Sequence, residues 1–144
     1  MNRYGIANFI LKHYPPARDW GAAVLVRWVC WHLCNNTLCT VKDDSENIKA
    51  VGVARMLMDP FHGAHNGVLT LDHDPEGKCA FIDLAVSVDP IATRILVLML
   101  REQFGERDYI AYLKAGTGGV IRVRPWAKLR NSMLRKKELQ NGRR

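Results

Sequence analysis

Asp83 is the residue of this chain whose setting most needs a chemical explanation. It stands in Phe81-Ile82-Asp83-Leu84-Ala85, a carboxylate inside a run with the composition of a central strand. A buried carboxylate costs several kcal/mol unless it is paired. Two readings follow. One is a structural partner, with Arg107 or a backbone amide as candidates. The other is a functional carboxylate that orients a base or a substrate amine.

The other reactive residues offer less. His62-x-x-His65, His73 and Cys79 lie within one stretch, yet no zinc signature has this spacing, and the expectation is solvated histidines with no metal. Ser45, Ser87 and Ser132 are the only serines, and none stands in a G-x-S-x-G elbow. Gly116-Thr117-Gly118-Gly119 precedes a strand pattern and lacks the lysine and helix N-terminus that hold phosphates, so it reads as a hairpin turn. Cys30, Cys34, Cys39 and Cys79 include no C-x-x-C pair; apolar surroundings such as Trp28-Val29-Cys30-Trp31 make the expected set four buried free thiols.

Charge is concentrated at one end. The residues Arg122, Arg124, Lys128, Arg130, Arg135, Lys136, Lys137, Arg143 and Arg144 face one acid, Glu138, so Arg122–Arg144 is +8 while the preceding 121 residues are −1. Such a segment is a candidate contact for a protein partner with an acidic surface, or for a polyanion such as nucleic acid, with salt-dependent strength. The plainer reading is a solvated helix that keeps the chain soluble. No aliphatic run approaches the roughly 18 residues of a membrane span. The N-terminal residues lack the charge-then-apolar order of a secretion signal, so a cytoplasmic protein is expected.

These residues have to be positioned by the elements around them. At 144 residues, 48% of them apolar, one domain with a real core is expected. Gly5–Tyr14 has helical periodicity, ended by Pro15-Pro16. Asp19 can cap a second helix, Trp20–Asn35, apolar almost all round and therefore largely buried. Thr37–Lys42 and Ile48–Leu57 read as a hairpin around Asp43–Asn47, Val68–His73 as a third strand and Lys78–Val88 as a central fourth. In that fourth strand Ala80, Ile82, Leu84, Val86 and Val88 should share one face. Asp89-Pro90 starts a helix that ends at Gly105. Tyr109–Lys114 and Val120–Arg124 are two further strands, and a basic helix from Trp126 to about Leu139 closes the chain. The expected class is α+β with a mixed, mostly antiparallel sheet, residues 1–124 forming the domain and 125–144 packing on it.

This order resembles the GNAT-type acyltransferase superfamily. Within it, Pro15-Pro16-Ala17-Arg18-Asp19-Trp20 before an apolar helix is similar to the toxin-activating lysine acyltransferases. So are Gly77-Lys78-Cys79-Ala80-Phe81-Ile82-Asp83, the helix ending Phe104-Gly105, and Tyr109-Ile110-Ala111-Tyr112. The resemblance implies acyl transfer to lysine from an acyl carrier protein or acyl-CoA. Asp83 would stand at the family's aspartate, and His13 would substitute for a histidine whose place is taken by Ala17. It also implies the company of GNAT-like proteins encoded by tailed phages, some of them internal virion components, which makes the virion a second candidate location. GNAT acetyltransferases grip the coenzyme A pyrophosphate with a glycine-rich loop at a helix N-terminus. Here Ser87–Arg94 has no glycine, Pro90 removes an amide and Asp89 adds a negative charge. The expectation is therefore a catalytically degenerate GNAT-like interaction or assembly subunit without a cofactor. The alternative is an active lysine acyltransferase with Asp83 and His13 as the working pair.

Overall fold

A computed structural model describes residues 2–59, 71–113 and 120–126. Helix α1 (Arg3–His13) starts under Asn2, whose side-chain oxygen accepts from the Gly5 amide at 2.9 Å. Pro15 and Pro16 divert the chain into a short 3-10 turn, Pro15–Asp19, before α2 (Ala22–Cys34). The expected cap at Asp19 does not form, because that turn consumes Asp19 and Gly21 takes the N-cap position. Nor is α2 buried all round. Leu25, Trp28, Val29 and His32 face inward while Val24 is exposed.

The hairpin forms as expected from β1 (Leu38–Lys42) and β2 (Ile48–Leu57). Asp43 closes its loop by accepting from the Ser45 and Asn47 amides, both at 2.9 Å. Leu71–His73, the described part of the expected third strand, is irregular, and the rest of that segment lies outside the described residues. The next strand is β3 (Cys79–Ser87), followed by α3 (Pro90–Phe104), β4 (Tyr109–Leu113) and β5 (Ile121–Pro125). Asp89 caps α3 through the Ala92 amide at 2.7 Å, and Gly105 ends it at φ 69°, where a side chain would be strained.

The strands form one five-stranded sheet in the order β1-β2-β3-β4-β5, antiparallel except for the β3–β4 pair, which α3 connects. Helices α1 and α2 cover one face, where Ile6, Ile10, Leu25 and Trp28 meet Val51, Val53 and Leu84. Helix α3 covers the other, placing Ala92, Leu96 and Leu100 on Ala50, Ala54, Met56 and Ala80. Trp126 is buried in that second cluster. The result is a single α+β domain. The expected Gly116–Gly119 turn and the expected basic helix beyond Trp126 lie outside the described residues.

Candidate functional site

Two strands that should alternate regularly break step at one place. Val53 pairs with Leu84 and Ala54 with Ile82, so Asp83 is an extra residue in β3 opposite no partner in β2. This is a β-bulge, a device that re-aims a side chain. It corrects the expected common face of β3: Ala80 and Ile82 pack on the α3 side, whereas Leu84 and Val86 pack under α1 and α2.

The bulge brings Asp83 to Arg55. The guanidinium donates from Nε to Oδ2 at 2.6 Å and from Nη2 to Oδ1 at 2.9 Å, a bidentate pair. Arg55 is 1% exposed and Asp83 15%, so the pair is almost fully withdrawn from water. Arg55 also donates from Nη1 to the Asp72 carboxylate, and its guanidinium lies 5.5 Å from the Phe81 ring centroid. Burial pushes the Asp83 carboxyl up, against the opposing pull of Arg55's hydrogen bonds and charge. The partner is thus Arg55 and not Arg107, which donates to the carbonyls of Phe104, Pro75 and Gly77 and ties the 71–78 segment to the end of α3.

That segment is fastened to β2 as well. Asp74 donates its amide to the Met56 carbonyl at 2.9 Å, and the Met56 amide donates to His73 Nδ1 at 3.0 Å. Burial, then the Arg107 charge, hold His73 below the usual histidine range. Deeper lies His32, on the last turn of α2 and without exposed surface. Its Nδ1 is 2.6 Å from the Thr37 hydroxyl, its ring meets Trp28 and Trp31 edge-on, and among the described residues its Nε2 has no hydrogen-bond partner. Burial first, then the Arg55 charge, pull its pKa down to about 3, which makes it a neutral ring at physiological pH.

Among the described residues the parallel β3–β4 ladder runs from Cys79/Tyr109 to Ile82/Tyr112. Among the described residues, positions 84–87 of β3 pair with β2, and Leu113 pairs with Ile121 of β5. A solved structure described as "GphF GNAT-like decarboxylase in complex with isobutyryl-CoA" matches this architecture with a TM-score of 0.56 at 17% identity, over 77% of this chain and 60% of that one. The fold is GNAT-like. This chain spans three-fifths of the length of that GNAT-like protein, and the likeness is one of fold. No family model and no curated protein matches the sequence.

On the GNAT-like frame the expected site residues separate. Asp83 stands at the bulge in β3, but both its oxygens are taken by Arg55. His13 ends α1 and stacks on Phe9 at 4.5 Å between ring centroids; among the described residues no hydrogen bond joins it to Asp83. Arg122 and Arg124 lie on β5, at the edge of the sheet, with Arg124 exposed. Lys128, Arg130, Arg135, Lys136, Lys137, Arg143 and Arg144 lie outside the described residues, as do His62 and His65. No group of three potential metal ligands converges among the described residues. The expected four buried thiols divide: Cys39 and Cys79 are buried, Cys30 is half-buried and Cys34 is exposed.

Arg55, Asp72 and His32 were not anticipated from the sequence. The available signal for Arg55 was a cation inside Val51-Gly52-Val53-Ala54-Arg55-Met56-Leu57, the same kind of mismatch that singled out Asp83. For His32 and Asp72 the sequence carries no comparable signal.

Proposed function

We propose that this chain is a GNAT-like protein without acyl-transfer chemistry, acting as an interaction or assembly subunit. The N-terminus of α3 carries this reading. Pyrophosphate binding at such a terminus needs free amides and the positive end of the helix dipole. Here Pro90 has no amide hydrogen, the Ala92 amide is held by the Asp89 carboxylate at 2.7 Å, and the Thr93 amide donates to the Asp89 carbonyl at 3.2 Å. A diphosphate approaching the remaining Ile91 amide would meet the Asp89 charge. Asp83 adds support, since a carboxylate clamped at both oxygens by a buried guanidinium is poorly placed to take a proton from lysine. The basic residues from Arg122 onward supply a contact for an acidic partner surface or another polyanion.

The placement of Asp83 on the β3 bulge favours a second reading, transfer from an acyl carrier protein, which would bring its acyl group without a nucleotide pyrophosphate. Asp83, with its carboxyl raised by burial, would be the acid–base group. Calorimetry with acetyl-CoA and isobutyryl-CoA separates these readings from ordinary coenzyme binding. No heat is expected up to about 1 mM ligand, which corresponds to less than about 4 kcal/mol of binding. A micromolar affinity would overturn the proposal. Acylation of a lysine peptide by a loaded carrier protein, lost in Asp83→Asn with the fold intact, would establish the second reading. The partner-binding role is tested on heparin, where Lys136, Lys137, Arg143 and Arg144 changed together to Gln should lower the salt needed for elution. Unchanged retention would leave the basic segment as a solubilising tail.

A further inference from the structure

Helices α1 and α2 leave a furrow between them. Arg3, at the start of α1, interacts with the Cys30 thiol, near the end of α2. The two helices therefore run antiparallel, and Leu11 comes beside Ala22 and Ala23. The lining runs from Arg3 to Leu11 on one helix and from Cys30 back to Ala22 on the other. At 1.5 Å of rise per residue the furrow is about 12 Å long. Its volume is about 620 Å³, in the range of small-molecule sites. The lining stands roughly a third of a turn round each helix from Ile6, Ile10, Leu25 and Val29, which meet the sheet.

The lining has a direction. Ala7, Leu11, Ala22, Ala23 and Val26 make an aliphatic lane, kept open by the three alanines. Its charged residues are both cations, Arg3 and Arg27, and no acid lines it among the described residues. Both cations stand toward one end: Arg3 is beside Cys30, and Arg27 is nearer in sequence to Cys30 than to Ala22. The Arg3 guanidinium lies 5.1 Å from the Tyr4 ring centroid, which holds it near that end. Among the described residues neither arginine is ion-paired. A cationic end joined to an aliphatic lane complements a molecule with an anionic head and an apolar tail. A partner's helix is a poorer match. It would seat several large anchors, whereas this floor offers only Leu11 and Val26 beyond alanine, over about two turns.

We propose that the α1–α2 furrow binds a free single-chain carboxylate, its tail in the aliphatic lane and its head at Arg3 and Arg27. The length of the furrow suits roughly ten extended carbons with C–C bonds near 1.5 Å. Packed helices lie about 8–10 Å apart, and the furrow between two of them admits one extended chain. One wall is open to water, so the ligand efficiency is that of a weak site. For the twelve heavy atoms of decanoate this corresponds to a Kd of roughly 0.1–1 mM. The proposal does not depend on either reading of Asp83, because the furrow is built from α1 and α2 alone.

The chain carries its own reporters, since Cys30 lines the furrow, Cys34 is exposed outside it and Cys39 is buried. Iodoacetamide labelling of the full chain, with each thiol resolved by peptide fragmentation, tests the proposal. Decanoate at about 5 mM should slow Cys30 labelling at least about fivefold, leaving Cys34 unchanged and Cys39 unlabelled. Decyltrimethylammonium, the same tail with the opposite charge, should not protect Cys30. Arg3→Gln/Arg27→Gln should weaken decanoate binding at least about fivefold with unchanged circular dichroism, both side chains being exposed. Ala23→Phe, also at an exposed position, should fill the lane and abolish protection. Equal protection by decyltrimethylammonium, or unchanged binding in the double arginine variant, overturns the proposal. So does labelling of Cys39 on adding decanoate, which would report unfolding. Vesicles of anionic phospholipid that protect Cys30 as well as decanoate would assign the furrow to a membrane surface and exclude the free carboxylate. If Cys30 without ligand reacts as slowly as Cys39, the chain's own residues fill the furrow and the proposal fails.

Discussion

The burial of His32 should make the stability of this protein fall on mild acidification. The ring is without exposed surface, its Nε2 has no partner among the described residues, and its pKa is pulled from 6.5 to about 3 by burial and by the Arg55 charge. The unfolded chain takes up this proton first, at its ordinary value. Stability is therefore complete above pH 6.5 and declines as pH drops through the window toward 3. Between pH 7 and pH 5 the difference in proton uptake amounts to about 2 kcal/mol from His32 alone. His73, also held low by burial, acts in the same direction. Urea unfolding followed by tryptophan fluorescence at half-unit steps from pH 7 to pH 5 measures the slope, above the range where most carboxylates titrate. His32→Asn retains a polar atom near the Thr37 hydroxyl but no titrating ring. It should cost roughly 1–3 kcal/mol at pH 7 through the lost volume, yet show a shallower acid decline than wild type. A wild-type stability that is flat from pH 7 to pH 5, or a His32→Asn slope as steep as wild type, would refute the reasoning.

Removing the buried cation should be worse than removing its partner. Arg55→Met leaves the 15%-exposed Asp83 without its counter-ion and should cost about 3–5 kcal/mol; Asp83→Asn should cost less, because Arg55 keeps Asp72. The double variant Arg55→Met/Asp83→Leu should recover part of the loss in urea unfolding, and simple addition of the two single losses would argue against the pair. Gly77→Ala should destabilise by at least about 2 kcal/mol, since the new Cβ would lie 2.6 Å from the Leu57 backbone nitrogen; Gly52→Ala, which meets the flexible tip of Leu96 at 2.9 Å, should cost less. Equal thermal shifts in the two variants would contradict this. In a thiol-reagent titration at pH 8, exposed Cys34 should react first and Cys30 next. Cys39 and Cys79, with thiols pushed up to about 11 by burial, should react only on unfolding. Four equally slow thiols would refute the division.

Local chemistry was sufficient for much of this fold. Pro15-Pro16 ends α1, the Asp43–Asn47 loop joins a hairpin, Asp89-Pro90 starts α3 and Gly105 stops it, all through side chains and φ angles close in sequence. The GNAT-like order of helices and strands followed from those signals together with apolar periodicity. Asp83 could also be singled out, because a carboxylate in an apolar run is a mismatch visible one residue at a time. What it pairs with could not be read this way: Arg55 lies 28 positions earlier, and only a one-residue bulge in β3 turns the carboxylate toward it. The same bulge moved Leu84 and Val86 to the opposite face from Ala80 and Ile82, since a single extra residue inverts a period-two pattern. Helix α2 misled for a related reason. Its composition is apolar nearly all round, but burial depends on what stands opposite each face, and only the Leu25–Trp28–Val29–His32 side meets the sheet. The charge of the Arg122–Arg144 segment is a property of sequence alone. The Arg55–Asp83 pairing and the buried neutral His32 were decided by tertiary structure, because each depends on which distant segment stands opposite.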